Sequence, residues 1–357
     1  MNQLEKYGLT DRFKNEATLY PDLSLARIVA QYRGLYKIVT KTDELQAEIS
    51  GKLRFETSEL AKFPTVGDFV MVSAEHLGGN AIIHHVLTRK SLFMRTAVGV
   101  HGQAQLVASN IDTVFICMSL NNNFNLSRLE RYLSVAWDSG AIPVILLTKS
   151  DLCDDLQKSV TEVERASSYT DVIPLSVFDD DLAEKLGKYL KAETTVAFIG
   201  SSGVGKSTLI NKLLGDEILA TADIGKADKG RHTTTGREMF VSPFGGVLID
   251  TPGMRELGAE SVDLAKTFDD IEELARNCRF RDCTHTGEPG CAIIKALADG
   301  SLEKRRFDSY RKLKTEAGYE GLNAKEVEVK KLERMFKEVG GMKNMRKIVK
   351  EKRKRKE

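Results

Sequence analysis

The chain has 357 residues, 41% hydrophobic and 29% charged, which is enough for two or three domains with cores of their own. No apolar run approaches the ~20 residues of a membrane-spanning helix, and the start, Met1-Asn2-Gln3-Leu4-Glu5-Lys6-Tyr7-Gly8, lacks the basic-then-apolar layout of a secretory signal. A cytoplasmic protein with no membrane partner is expected. The net charge of +2 hides an asymmetry: Lys343 to Glu357 holds nine Lys/Arg against two Glu, net +7, and leaves the other 342 residues at −5. A terminal block of like charge is either a nucleic-acid-binding arm or a solubilising tail.

In chain order, residues 26–32, 35–40, 45–50, 68–73 and 81–87 are short runs rich in Val, Ile and Tyr, separated by Gly34, Gly51, Pro64-Thr65-Val66-Gly67 and Gly78-Gly79-Asn80. Five such strands without an intervening helical pattern predict a small barrel, with an OB-fold as one candidate. His84 and His85 are neighbours in the fifth strand, face opposite sides and cannot easily chelate one metal; they are structural or incidental RNA contacts. From about Ile111 the rhythm becomes strand, helix, strand: 113–118, a helix over 126–136, then 142–147, 172–175, 195–199 and 246–249. That alternation predicts a mostly parallel sheet covered by helices. Beyond about Ser261 the chain reads as helical. The expected boundaries are 1–95 for the barrel segment, 96–260 for the α/β domain and 261–357 for a helical domain ending in the basic tail.

The strongest local signal is Gly200-Ser201-Ser202-Gly203-Val204-Gly205-Lys206-Ser207-Thr208, a match to the phosphate-binding loop G-x-x-x-x-G-K-[ST] between a strand and a helix. The glycines let backbone N–H groups curl around a β-phosphate, and the helix N-terminus adds favourable partial charge. Lys206 would reach the β- and γ-phosphates and the Ser207 hydroxyl would bind Mg²⁺. Asp250-Thr251-Pro252-Gly253 follows a second apolar strand, where the Asp of such sites holds Mg²⁺ and the Gly senses the γ-phosphate. Thr148-Lys149-Ser150-Asp151 ends the strand 142–147 and resembles the [NT]-K-x-D element of GTPases. The carboxylate of Asp151 can accept two hydrogen bonds from guanine, whereas adenine lacks the N1–H and would leave it unpaired. Lys149 would lie over the base, and Ser176 would begin the last base-contacting loop.

The base-reading elements precede the phosphate loop, the reverse of the usual GTPase order, and a circular permutation explains this. Further on, Cys278-x4-Cys283-x-His285-x5-Cys291 offers three thiolates and one imidazole, a full tetrahedral set for one structural zinc. The spacing fits no standard finger, so reduced buried cysteines stay open as the other reading. The odd total of five cysteines argues against a disulfide framework. Cys117 falls in an apolar strand and is expected in the core, while Cys153 has no evident partner.

The succession of base motif, phosphate loop, Gly230-Arg231-His232-Thr233-Thr234-Thr235, D-x-x-G and cysteine/histidine cluster resembles the RsgA (YjeQ) family over roughly residues 26 to 295. Proteins of that family are circularly permuted GTPases of small ribosomal subunit maturation. The resemblance implies a multi-domain fold: an N-terminal all-β OB-fold barrel, a central permuted α/β P-loop GTPase and a C-terminal, mostly helical zinc module. It implies GTP as substrate, Mg²⁺, one structural Zn²⁺, and the small (30S) subunit with its rRNA as partner, in a chain that nothing requires to be more than a monomer. Met254 stands where ordinary small GTPases carry the water-orienting Gln, and the resemblance points instead to His232, whose neutral imidazole can orient water or accept a proton. Among Thr233, Thr234 and Thr235, Thr234 is the favoured further Mg²⁺ ligand. Gly203 occupies the position where potassium-activated GTPases often have Asn, so no strong potassium requirement is expected. Two rival readings are an RNA-binding module that holds GTP with negligible turnover and a GTPase acting on another RNA, such as tRNA, or at a large-subunit step.

Overall fold

The computed structural model describes residues 2–32, 34–56, 60–73, 80–96, 104–215, 237–250 and 262–318, together with 326 and 330. Two short helices come first, α1 (Gln3–Lys6) and α2 (Asp11–Ala17). A capping box starts α1, in which Asn2 and Glu5 each bond the other's backbone N–H. Leu4, Leu9 and Phe13 of this stretch bury against Phe69, Met71 and Leu87 on the barrel wall.

The barrel is built from β1 (Ser24–Gln31), β2 (Tyr36–Val39), β3 (Glu44–Ile49), the helix α3 (Gly51–Glu56), β4 (Phe69–Ser73) and β5 (Ala81–Val86). All five expected strands are present. Their order is β1-β2-β3-β5-β4 with β4 returning to β1, so the sheet closes on itself. Only the β3–β5 pairing within the barrel is parallel. The two histidines point to separate partners: His84 Nε2 lies 2.9 Å from Ser73 Oγ, and His85 stacks on Tyr20 with centroids 4.5 Å apart. Each therefore has a structural contact within the barrel region.

A ribbon of β6 (Leu92–Thr96) and β7 (Ala104–Ser109), not foreseen from spacing, leads to the α/β region. There follow β8 (Thr113–Ser119), α4 (Leu126–Asp138), β9 (Ile142–Thr148), α5 (Leu156–Ala166), β10 (Asp171–Pro174), α6 (Leu182–Gly187), β11 (Thr195–Ile199), α7 (Lys206–Leu214), β12 (Arg237–Val241) and β13 (Val247–Asp250). Strands β10, β9, β8, β11 and β13 lie side by side and parallel. Every residue of β8 and β11 is buried, as continuous apolar runs require when helices cover both faces. Cys117 sits in this core as expected, and burial pushes its thiol up to about 12.

The antiparallel edge strand β12 joins the α/β sheet to the barrel, because Ala30 and Gln31 of β1 pair with Glu238 and Arg237. The result is one hydrogen-bonded surface of eleven strands. Arg27 reinforces the joint: its fully buried guanidinium donates to Gly67 O at 3.2 Å, to Thr195 Oγ1 of β11 at 2.9 Å and to Tyr7 O, and lies over the Phe69 ring.

The last described region is helical, as expected: α8 (Leu264–Thr267), α9 (Asp269–Arg276), α10 (Ala292–Asp299) and α11 (Lys304–Ala317) pack around Phe268, Ile271, Ile293, Phe307, Tyr310 and Leu313. This region docks on α4 through charge. The Arg306 guanidinium meets the fully buried Glu130 at 3.1 Å and Asp270 at 2.6 and 2.7 Å. Burial pulls the Arg306 pKa down, but the two carboxylates outweigh it and hold it above the ordinary value. Among the described residues no helix is long and apolar enough to cross a membrane. The basic tail 343–357 lies outside the described residues.

Candidate nucleotide and metal sites

The chain runs from β8 outward to β9 and β10, then returns to β11 on the other side of β8. The β8/β11 crevice is therefore the topological switch point, where the C-terminal ends of open α/β sheets receive ligands. The segments singled out in the sequence start at this edge: Thr148 ends β9 and 149–151 follows it, Ser176 follows β10, and 200–208 follows β11.

The phosphate loop turns through Gly200, Gly203 and Gly205, with φ of 147°, 76° and 92°. At Gly200 a Cβ would stand 2.4 Å from Cys117 O on β8, so only glycine lets the loop leave the sheet there. Lys206 Nζ bridges the loop, donating to Gly200 O at 2.6 Å and Ser201 O at 2.7 Å. Thr148 Oγ1 donates to Val204 O at 2.7 Å and Lys149 Nζ to Gly203 O at 2.9 Å. These two bonds lock the T-K-S-D turn to the phosphate loop across 56 and 54 positions of sequence. Lys149 itself has a left-handed φ of 59°, which starts the short 3₁₀ turn Ser150–Leu152 and leaves Asp151 exposed. The Ser150 N–H donates to Leu175 O at 3.2 Å, so the turn is also tied to the strand end before Ser176. Ser176 is buried; its N–H donates to Asp179 Oδ2 at 3.0 Å, and Lys185 and that N–H hold the Asp179 carboxyl below its usual value.

Ser207 lies half-buried in the first turn of α7, exposed Thr208 follows it, and Ser202 is exposed on the loop. Asp250 ends β13 in register with Phe198 of β11. A serine hydroxyl and a carboxylate offer oxygen donors, the kind that suits Mg²⁺, a hard cation. His232, Thr233, Thr234, Thr235, Gly253 and Met254 lie outside the described residues.

Two contacts to the loop escaped the sequence reading. Asn123 Nδ2 and Arg128 NH1 donate to Ser201 Oγ at 3.0 and 2.9 Å, and Arg128 NH1 also reaches Asn123 Oδ1 at 2.6 Å. The available signal was the polar run Asn121-Asn122-Asn123 at the C-terminal end of a central strand, where parallel sheets gather ligand contacts.

The second cluster lies between α9 and α10. One ligand atom each from Cys278, Cys283, His285 and Cys291 falls within 4.8 Å of the others. Cys278 Sγ is 3.9 Å from Cys291 Sγ and 3.6 Å from His285 Nδ1, which is 3.5 Å from Cys291 Sγ. Such edges match a tetrahedron with Zn–S of about 2.3 Å and Zn–N of about 2.0 Å, so the residues fit zinc. Burial and Lys314 lower the His285 pKa, which favours the neutral imidazole that ligates metal. Glu288, also unforeseen, shapes the knuckle by accepting from the Thr284, Thr286 and Gly287 N–H groups at 2.9, 2.8 and 3.1 Å and from the Thr284 hydroxyl. These bonds hold its carboxyl well below the usual range. Cys153, expected without a partner, has its Sγ 3.6 Å from Ser159 Oγ.

Because Cys278, Cys283 and Cys291 pack against the Phe268/Phe307 core, metal removal should loosen the helices as well as the knuckle. The purified chain is expected to carry one zinc by elemental analysis. A strong chelator or Cys283→Ser should strip it and lower the melting temperature of the helical region by about 10 °C or more, on the order of what loss of a structural metal implies.

A parallel sheet whose T-K-S-D turn precedes its phosphate loop defines the class: a circularly permuted P-loop GTPase. A family model described as RsgA GTPase matches residues 86–260. The "Small ribosomal subunit biogenesis GTPase RsgA 2" of Lactiplantibacillus plantarum is 47% identical over 346 residues, covering 97% of this chain and 97% of that protein. The chain belongs to the RsgA GTPase family and is a hydrolase. In fold it is similar to two solved structures at 23% identity. "YloQ, a circularly permuted GTPase" has a TM-score of 0.59 over 83% of this chain and 95% of that one. YjeQ from Thermotoga maritima has 0.60 over 83% and 98%.

Proposed function

We propose that this GTPase binds the small ribosomal subunit and its rRNA in the cytoplasm, as a monomer, and hydrolyses GTP to GDP and phosphate during late subunit maturation. The observation that carries the nucleotide half is the pair of bonds from Thr148 and Lys149 to Val204 and Gly203. They join a guanine-type reading element to a phosphate loop. The partner is supported by the names of the relatives, among them the protein 47% identical to this chain. The working division is the one read from the sequence, with 1–95, 96–260 and 261–357 as barrel, GTPase and zinc module.

In this reading Asp151 pairs with the guanine edge, Lys149 and Ser176 flank the base, and residues 200–208 wrap the phosphates. Lys206 exchanges its two loop carbonyls for phosphate oxygens. Ser207, Asp250 and Thr234 would hold Mg²⁺, which would supply charge neutralisation to the phosphates. Gly253 senses the γ-phosphate. His232 orients the attacking water, since Met254 offers no polar group for the task. Zinc is structural, because its four protein ligands leave no open position.

The test is GTP hydrolysis by the purified protein alone and with separated small or large subunits, with ATP as control. Stimulation by small subunits, selective for GTP, is expected. His232→Ala should lower turnover by about 10²–10⁴-fold with GTP affinity unchanged. Equal stimulation by large subunits would refute the partner, and turnover unaffected by His232→Ala would refute the catalytic assignment.

A further inference from the structure

Beside the phosphate loop, between α4 and α11, lies a cleft of about 600 Å³ whose walls include Asn125, Arg128, Arg131, Arg305, Asp308 and Lys312. Four of these six side chains are cationic and one is anionic. Past the cleft α11 adds three further exposed cations, Lys304, Arg311 and Lys314.

Two of the arginines are held in place by ion pairs. Arg131 makes a forked pair with Glu316, its NH2 2.9 Å from Oε1, and Arg305 NH1 lies 3.1 Å from both oxygens of Glu130. A guanidinium has five N–H donors in a rigid fork, so each pair fixes the group and leaves donors over for a ligand. Lys312 is exposed and holds no carboxylate among the described residues. Arg128 stands at the end nearest the nucleotide site, with NH1 on Ser201 Oγ of the phosphate loop.

We propose that this cleft is a seat for a run of RNA backbone phosphates, placing the RNA against the side of the phosphate loop at Arg128. A strip of fixed guanidiniums and an exposed ammonium along two helices suits a polyanion, because successive phosphates can each meet a cation. The cleft rests on the reading of small-subunit RNA as the partner and adds where on the molecule that RNA sits. A phosphate taken up by Arg128 competes with Ser201 for the same N–H groups, so occupancy of the cleft is felt at the second residue of the phosphate loop.

The test is binding of the full-length zinc-loaded protein to purified small subunits across a salt series. It compares wild type with Lys312→Glu and with Lys158→Glu, a charge reversal at an exposed site on α5 outside the cleft. Melting curves check that both variants fold. Lys312→Glu is expected to bind about tenfold more weakly at low salt, with a log–log salt slope shallower by about one, while Lys158→Glu stays within about twofold of wild type. Identical affinity and slope for the two variants would overturn the cleft and leave the small-subunit partner intact. No binding by the wild type would overturn both.

Discussion

Asp151→Asn is expected to weaken GTP binding by about 100- to 1,000-fold and to improve binding of xanthosine triphosphate. A carboxylate accepts from both the ring N1–H and the 2-amino group of guanine, whereas an Asn amide turns one of its faces to a donor and meets the amine with N–H. Leaving polar groups unpaired in a base pocket costs affinity of that order. Xanthine has a carbonyl where guanine has the amine, so the same amide becomes complementary. Because Asp151 is exposed in the middle of a short turn, the substitution should not disturb folding. Titration with fluorescent guanine and xanthine nucleotides reads the result, and unchanged GTP affinity would mean that Asp151 does not read the base.

The second large effect concerns the docking of α11 on α4. Glu130→Ala would leave the Arg306 guanidinium, 7% exposed, with only the partly exposed Asp270 as counter-charge. Removing one partner of a buried pair costs about 3–5 kcal/mol, because the remaining charge is stranded away from water. Arg131→Ala, which breaks the outer pair with Glu316 where both side chains keep contact with solvent, should cost about 0–1 kcal/mol. Denaturant unfolding of the two variants separates them. Equal costs would show that the inner pair is not the anchor of the helices that flank the cysteine/histidine cluster. The contrast matters for function, because α4 carries Arg128 on the phosphate loop and Glu130 and Arg131 on α11 within one turn of helix.

The five barrel strands and the alternating core were legible because burial patterns there are local. β8 and β11 read as unbroken apolar runs, and each barrel strand is bounded by Gly, Pro or Asn. The ribbon β6–β7 was not legible. Its register is set by a partner strand in a run of mixed polarity, so no period marks it. Strand β12 escaped for a related reason: with four of its five residues only half-buried, it shows neither clean alternation nor a continuous apolar run. At the site, the phosphate loop and the T-K-S-D turn announce themselves because backbone curvature and base pairing demand particular residues at fixed offsets, and the cysteine/histidine cluster does so by composition, three thiols and one imidazole within 14 residues. Asn123, Arg128 and Glu288 do not, since an amide, a guanidinium or a carboxylate at those offsets is equally at home on a solvated surface.

By itself the sequence determined the chemistry of short segments: where glycine must turn the chain and which four side chains can hold zinc. Only the tertiary structure decided how these segments meet. Ala30 pairs with Glu238 to fuse the barrel to the α/β sheet, and Arg27 reaches Thr195 across 168 positions. Glu130 finds Arg306 across 176, setting α11 against α4 and shaping the basic cleft beside the phosphate loop. Such contacts leave no trace in local spacing, because their free energy comes from desolvation and pairing that exist only once distant segments have closed around them.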